Sequence, residues 1–328
     1  MVAPNAVQGA VQAVVAAGGE SAARMMKRLE GRLVEAADGH GELLARHAGE
    51  TIAAGGKRLR PLLLFLAAGA PPPESETLLR SAVAVELVHS ATLVHDDVLD
   101  GSPLRRGRPT VMAAGGRLAA TATGDLLFSR AFAELTHTGS VAAVQVLSRA
   151  SSELATGELM QRADAWRAVA PERYLERCRL KTGVLFRAAC ELGGLEGDDE
   201  ERLPGLALFG ERIGLAFQLL DDILDVSGPP ERTGKPRGAD LLDGTVTLPL
   251  IVARERDPEL RALDLRSVRT PELAAEVCAR IAETGALEET RARALELVAG
   301  AKAELPEMPA RQRGALELIA DGVVERYS

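Results

Sequence analysis

Residues 75–100 read SETLLRSAVAVELVHSATLVHDDVLD. Apolar residues recur through the stretch at intervals of three and four: Leu78, Leu79, Ala82, Val83, Val85, Leu87 and Val88. That spacing draws one face of an α-helix. The stretch closes on Asp96-Asp97-Val98-Leu99-Asp100. Positions four apart share a helix face, so Asp96 and Asp100 present together while Asp97 sits to the side. Two carboxylates so placed repel one another, and both meet the negative end of the helix dipole. A bound cation relieves both penalties. Mg2+ takes hard oxygen ligands and is usually held by one or two carboxylates plus substrate phosphates.

The same spacing returns at Asp221-Asp222-Ile223-Leu224-Asp225, after the apolar run Ile213 to Leu220. One such cluster reads equally well as a solvated helix end; a pair, each following an apolar helix, points to metal and phosphate chemistry. Basic segments accompany them. Leu104-Arg105-Arg106-Gly107-Arg108-Pro109 follows the first cluster and suits bidentate phosphate contacts. Gly55-Gly56-Lys57-Arg58-Leu59-Arg60-Pro61 opens a helix but lacks the spacing and the hydroxyl residue of a nucleotide P-loop. Each of these alone reads as an ordinary basic turn. Lys181-Thr182-Gly183 lies inside a helical stretch, and Gln218 precedes the second cluster by three residues. Lys235 and Arg237 lie in the Gly/Pro-rich loop 228–238, which reads as a lid over an anion or as a plain flexible loop. His89 falls near the face of Asp96 two turns earlier and is placed to donate to a phosphate. His95 reads as a supporting residue, and His40, His47 and His137 as incidental.

Helical periodicity continues from Arg117 to Leu135, Val141 to Leu159, Pro171 to Leu192, Glu200 to Val226 and Pro271 to Leu305. Breaks are read at 71–73, 101–109, around Gly193-Gly194, and at 227–244. No alternating strand pattern appears. The expectation is an all-α fold, one domain over residues 1–328, with roughly ten to thirteen helices. The 328 residues suffice for a large core, and 46% of them are hydrophobic. A net charge of −8 argues against a nucleic-acid partner. Cys178, Cys190 and Cys278 form neither a disulfide framework nor a zinc motif, which suits a reducing cytoplasm. The Ala-rich start lacks the basic region of a signal peptide, and no long uninterrupted apolar run suggests a membrane span.

Taken together these segments resemble the trans-isoprenyl diphosphate synthase (polyprenyl synthetase) family. The carriers are GGKRLRP at 55–61, HSATLVHDDVLDGSPLRRGRPT at 89–110, GDLLF at 124–128, GEL at 157–159 with Gln161, KTG at 181–183, AFQLLDDILD at 216–225, GKPRGADL at 234–241 and TLPL at 247–250. They stand in family order over about residues 50 to 250. The resemblance implies the isoprenoid synthase type I fold, a helical bundle around a deep central cavity, usually as a homodimer. It implies condensation of isopentenyl diphosphate with an allylic diphosphate, head to tail (1′-4), with a new trans double bond. It also implies about three Mg2+ per active site, in keeping with charge stabilisation by metal at a departing diphosphate. By the family pattern Asp96 and Asp100 bind two of them and Asp221 helps bind a third, with Asp97, Asp222 and Asp225 in the same set. Arg105, Lys181, Thr182, Gln218 and Lys235 would hold the allylic diphosphate, and Asp96, Asp100, Arg105, Lys181 and Asp221 would carry the catalysis. Lys57, Arg60, His89 and Arg106 would hold isopentenyl diphosphate.

One departure stands out: Gly244-Thr245-Val246-Thr247 has Thr245 where the family often carries lysine. For product length, the resemblance makes the residues about one turn before Asp96 a floor for the growing tail. Here they are Ala91 and Thr92, with Val88 a turn deeper, and all are small. The expected product therefore exceeds about fifteen carbons, since small residues leave the pocket open. Ala91→Phe is expected to shorten it. A geranylgeranyl-type enzyme blocked deeper, for instance at Phe128, is the alternative. A class I terpene cyclase fits less well with a second DDxxD and few aromatics, and a non-catalytic partner subunit fits less well with both motifs kept.

Overall fold

Helix dominates because apolar spacing near 3.6 residues runs along nearly the whole chain. The structure, a computed structural model, describes residues 12–38, 41–70, 72–105, 107–197, 200–229 and 236–325. It is 80% helical and all-α, with fifteen α-helices among the described residues, between Glu20 and Glu325. The first are α1 (Glu20–Ala37), α2 (Glu42–Ala53), α3 (Leu59–Ala68) and α4 (Glu76–Asp100). A two-stranded hairpin, β1 (Leu104–Arg105) with β2 (Arg108–Pro109), leads to α5 (Val111–Thr136) and α6 (Val141–Ala163). Then come α7 (Pro171–Cys178), a π-helical turn (Arg179–Gly183), α8 (Val184–Glu196) and α9 (Leu203–Ser227). The remainder is α10 (Ala239–Leu242), α11 (Leu248–Arg256), α12 (Pro258–Ala262), α13 (Pro271–Glu283), α14 (Ala286–Ala303) and α15 (Ala310–Glu325). The excess over the helix number read from periodicity lies in short helices such as α10 and α12, which are too brief to show a period.

Ends of helices follow local chemistry. The Ser75 side chain accepts from Leu78 N–H and starts α4, and Thr110 does the same for α5 through Ala113 N–H. Each such cap contributes about 1 kcal/mol. The stretch read as one helix from Pro271 to Leu305 is two, because Gly285 adopts φ 75° between α13 and α14. The break read at Gly193-Gly194 is absent: α8 runs through both. A Cβ on Gly193 would stand 2.2 Å from the Leu64 carbonyl oxygen, so this glycine serves close packing of α8 on α3, not a turn.

The chain divides into two compact units, each discontinuous in sequence. The first takes residues up to Ser151, Leu185–Gly210 and Leu305–Gly322; the second takes Ser152–Val184, Glu211–Glu304 and residues from Val323. The core of the first is built on α3 and α4, with Leu62 to Leu66, Leu87 and Leu127 fully buried. The core of the second gathers Ile213, Leu219, Leu220, Leu250 and Ile281. Among the described residues two helices, Glu76–Asp100 and Glu200–Ser227, are long and apolar enough to cross a membrane by length and composition, although charged residues interrupt both. In the first, 72% of that window is buried inside the protein, the mark of a core helix apolar on every side.

Candidate active site

In the first unit the aspartate cluster ends α4, and Gly101 (φ 63°) turns the chain out, its N–H and that of Ser102 both donating to the Asp97 carbonyl. Thr110 ties the hairpin back, its hydroxyl donating to Ser102 O at 2.7 Å. Asp96 and Asp100 are half-buried on one face, whereas Asp97 is 4% exposed. Arg105 donates both Nε and Nη2 to Asp97 Oδ1 at 2.8 Å. Asp97 thus anchors Arg105, its side chain at i+1 turning about 100° from the shared face. Across the hairpin Arg105 pairs directly with Arg108. Like charges directly opposite are unfavourable, and Arg108 is exposed with no ion-pair partner among the described residues. Arg106 lies outside the described residues.

Arg58 explains the basic segment before α3. It is buried at 6% exposure with φ 48°, and it pairs with Glu86 at 2.7 Å and Glu30 at 2.8 Å and donates to Ile52 O. Burial works against its charge, and Glu30 and Glu86 more than offset it. Lys57 and Arg60, on either side, stay half-buried, and the Arg60 guanidinium lies 4.5 Å above the Phe186 ring. A cavity of about 410 Å3 opens in this unit, lined by Arg58, Glu86, His89, Asp97, Arg105 and Arg108 among others. His89 lines this cavity. His95 is a supporting residue: its ring stacks on Phe128 at 5.9 Å and its Nε2 lies 3.4 Å from Asp125. A Cβ on Gly124 would stand 2.2 Å from that nitrogen, so the GDLLF segment is the seat of His95. Of the three product-length candidates, Val88 and Ala91 are fully buried and only Thr92 keeps accessible surface.

In the second unit Asp221 is exposed, Asp225 half-buried and Asp222 2% exposed. Asp222 accepts from the Tyr174 hydroxyl on Oδ2 and from Gln218 Nε2 on Oδ1 at 2.8 Å. Each oxygen thus accepts a side-chain hydrogen bond from within the second unit. Burial, then Asp240 nearby, pushes its pKa up to about 8, while Tyr174 and Gln218 pull it down. Burial likewise raises the Tyr174 hydroxyl. Thr182 donates to Gln218 Oε1 at 2.8 Å, which spends its hydroxyl proton within the protein. Lys181 lies on the π-helical turn and pairs with Glu158 at 2.5 Å. Such turns are frequent at functional sites. A Cβ on Gly157 would stand 2.7 Å from Lys181 N, so the GEL segment lets α6 approach this turn and supplies its carboxylate. Asp225 Oδ2 accepts from Asp240 N–H at 3.3 Å. Thr245 is half-buried, with its N–H on Asp240 O at 2.8 Å. Lys235 lies outside the described residues.

Among the described residues no group of three or more His, Cys, Asp or Glu side chains could hold a metal ion. The donor chemistry nevertheless suits a hard cation: in the first unit Asp96 and Asp100 stand paired at i and i+4, and in the second Asp221 is exposed. Sequence reasoning missed Tyr174, Glu86 and the anchoring roles of Asp97 and Asp222. No spacing rule links Tyr174 to Asp222.

The polyprenyl synthetase family model matches residues 42–283. The chain is 46% identical over 202 residues to "heptaprenyl diphosphate synthase component 2" of Geobacillus stearothermophilus, a match spanning 61% of this chain and 63% of that protein. It is 36% identical over 281 residues to "geranylgeranyl diphosphate synthase" of Methanosarcina mazei, spanning 83% and 86%. Among solved structures, a polyprenyl synthase from Caulobacter crescentus CB15 complexed with calcium and isoprenyl diphosphate superposes with a TM-score of 0.89 at 36% identity, covering 97% of this chain and 98% of that one.

Proposed function

This chain belongs to the polyprenyl synthetase family and is a prenyltransferase of the isoprenoid synthase type I fold, and from that premise we propose that it condenses isopentenyl diphosphate with an allylic diphosphate in a Mg2+-dependent, head-to-tail (1′-4) reaction. The product is an all-trans polyprenyl diphosphate longer than C15. The observation that carries the reading is the sorting of each aspartate cluster: Asp96, Asp100 and Asp221 keep accessible surface, while Asp97 and Asp222 are drawn inward by Arg105 and by Tyr174 with Gln218.

Asp96 and Asp100 of the first unit would hold Mg2+, as would Asp221 of the second, with Asp225 in the same cluster. A metal held there would supply neutralisation of the charge on the departing diphosphate. The allylic C–O bond breaks, and the electron pair leaves with the diphosphate. Arg105, Lys181 and Gln218 stabilise that anion as its charge develops. The double bond of isopentenyl diphosphate attacks the allylic cation, forming the new C–C bond. A proton lost from the next carbon passes to the diphosphate, since no protein base is needed. Lys57, Arg60 and His89 hold the second diphosphate. Cys178, Cys190 and Cys278, all buried free thiols, suit a reducing cytoplasm.

The test is elongation by the purified chain with isopentenyl and farnesyl diphosphates, with and without Mg2+, followed by the mass of the product. A polyprenyl diphosphate formed only with Mg2+ is expected; a cyclic hydrocarbon or no turnover overturns the reading. A product stopping at geranylgeranyl length is the alternative, favoured by the likeness to the Methanosarcina mazei protein. A homodimer is the working assembly, and exposed Leu118 and Val141 offer apolar surface for one. The word "component" in the Geobacillus stearothermophilus name favours a second subunit instead. Turnover by this chain alone, with its mass in solution, separates the two.

Thr92→Phe is expected to shorten the product, because Thr92 alone of the three floor candidates has accessible surface. Ala91→Phe, by contrast, meets filled space and is expected to cost about 1–3 kcal/mol of stability through overpacking. Product chromatography and a thermal melt read the two. An unchanged product in Thr92→Phe removes that residue from the floor.

A further inference from the structure

Four side chains of the second unit form one hydrogen-bonded row: Tyr174 to Asp222, Gln218 to Asp222, and Thr182 to Gln218. Both Asp222 oxygens accept, and the Gln218 amide turns its nitrogen to Asp222 and its oxygen to the Thr182 hydroxyl. Tyr174, 1% exposed, occupies Oδ2 and so leaves Oδ1 to Gln218. An amide nitrogen carries two hydrogens. One is spent on Asp222, and the second has no partner among the described residues. Gln218 is only half-buried, so that second N–H is within reach of a ligand. It lies three residues before Asp221 in sequence, on the same helix.

We propose that Tyr174 and Asp222 are positioning residues that lock the Gln218 amide with one N–H free for a diphosphate oxygen. This rests on the allylic-diphosphate reading of Lys181 and Gln218 above. It assigns the second aspartate of the cluster a task distinct from metal binding, and it makes Thr182 a partner of Gln218, not of the anion.

The test uses the full chain and inorganic pyrophosphate with Mg2+ as the probe, by titration calorimetry, alongside steady-state kinetics. Tyr174→Phe is expected to weaken pyrophosphate binding about tenfold, the scale of one hydrogen bond to a charged group, and to raise the allylic KM while leaving that for isopentenyl diphosphate unchanged. Gln218→Ala is expected to lose a similar factor, and the double variant no more than Gln218→Ala alone, because Tyr174 acts through Gln218. Asp222→Asn keeps a carbonyl for the Gln218 N–H while its amide faces Tyr174. It is expected to bind pyrophosphate within about threefold of the unaltered chain, since the pairing survives, with the same Mg2+ half-saturation. That variant decides the question if Tyr174→Phe does not fold. Additive losses in the double variant, or a higher Mg2+ requirement in Asp222→Asn, overturn the proposal while leaving the function standing. Absence of pyrophosphate binding by the unaltered chain overturns both.

Discussion

Asp96→Asn is expected to lower turnover about a thousandfold, with the Mg2+ requirement shifted upward. Asparagine keeps the shape of the side chain and removes the charge that a hard cation needs. Metal stabilisation of a leaving oxyanion is worth several kcal/mol, and each 1.36 kcal/mol is a factor of ten in rate, so its loss reaches about three orders of magnitude. Asp97→Asn supplies the contrast. Asp97 is buried and accepts two N–H groups from Arg105, so its loss releases an arginine. The expected cost is about tenfold to a hundredfold, the scale of one charge-assisted hydrogen bond, with Mg2+ half-saturation unchanged. Magnesium titrations of both variants at saturating substrate read the difference. An equal shift at the two positions would return Asp97 to the metal set.

That contrast marks how far the sequence could be read. The Asp96 and Asp100 pairing was legible because helix geometry converts a spacing of four into a shared face. The same geometry sets Asp97 to the side while the family pattern groups it with the metal residues, and neither reveals that it accepts from Arg105. Asp222 shows the other limit. Its partner Tyr174 lies 48 residues away on another helix, and only folding brings them together. Lengths and breaks were legible where capping chemistry was strong, as at Ser75, and misread where glycine serves packing instead of turning, as at Gly193. The all-α class followed from periodicity alone. The short hairpin at Leu104–Pro109 did not, because two-residue strands carry no alternation to detect. Val88 and Ala91 were read as a cavity floor from the resemblance, but small residues on an all-round apolar helix are equally what close packing selects.

Arg58 carries the largest expected effect on stability. The basic run Lys57-Arg58-Leu59-Arg60 does not by itself say which member turns inward. Arg58 is 6% exposed, and its partner Glu86 is 3% exposed. Arg58→Met is expected to destabilise the chain by about 3–5 kcal/mol, since removing one partner leaves a buried carboxylate unpaired. Glu30, the other carboxylate, has half its side chain in water, so Glu30→Ala is expected to cost at most about 1 kcal/mol, as for exposed pairs. Urea unfolding of the three chains reads the order. The double variant Arg58→Met with Glu86→Leu separates the two sources of the loss. If the penalty is the orphaned charge, replacing both partners with apolar groups recovers most of it, because a buried ion pair often gains little over well-packed hydrocarbon. If the double variant stays as unstable as Arg58→Met, the loss comes instead from the donation to Ile52 O and the left-handed backbone at position 58. In that case Arg58 acts as a clamp on the chain between α2 and α3. Lys57 and Arg60, held on either side of that clamp, should then lose their grip on isopentenyl diphosphate, visible as a raised KM for that substrate alone.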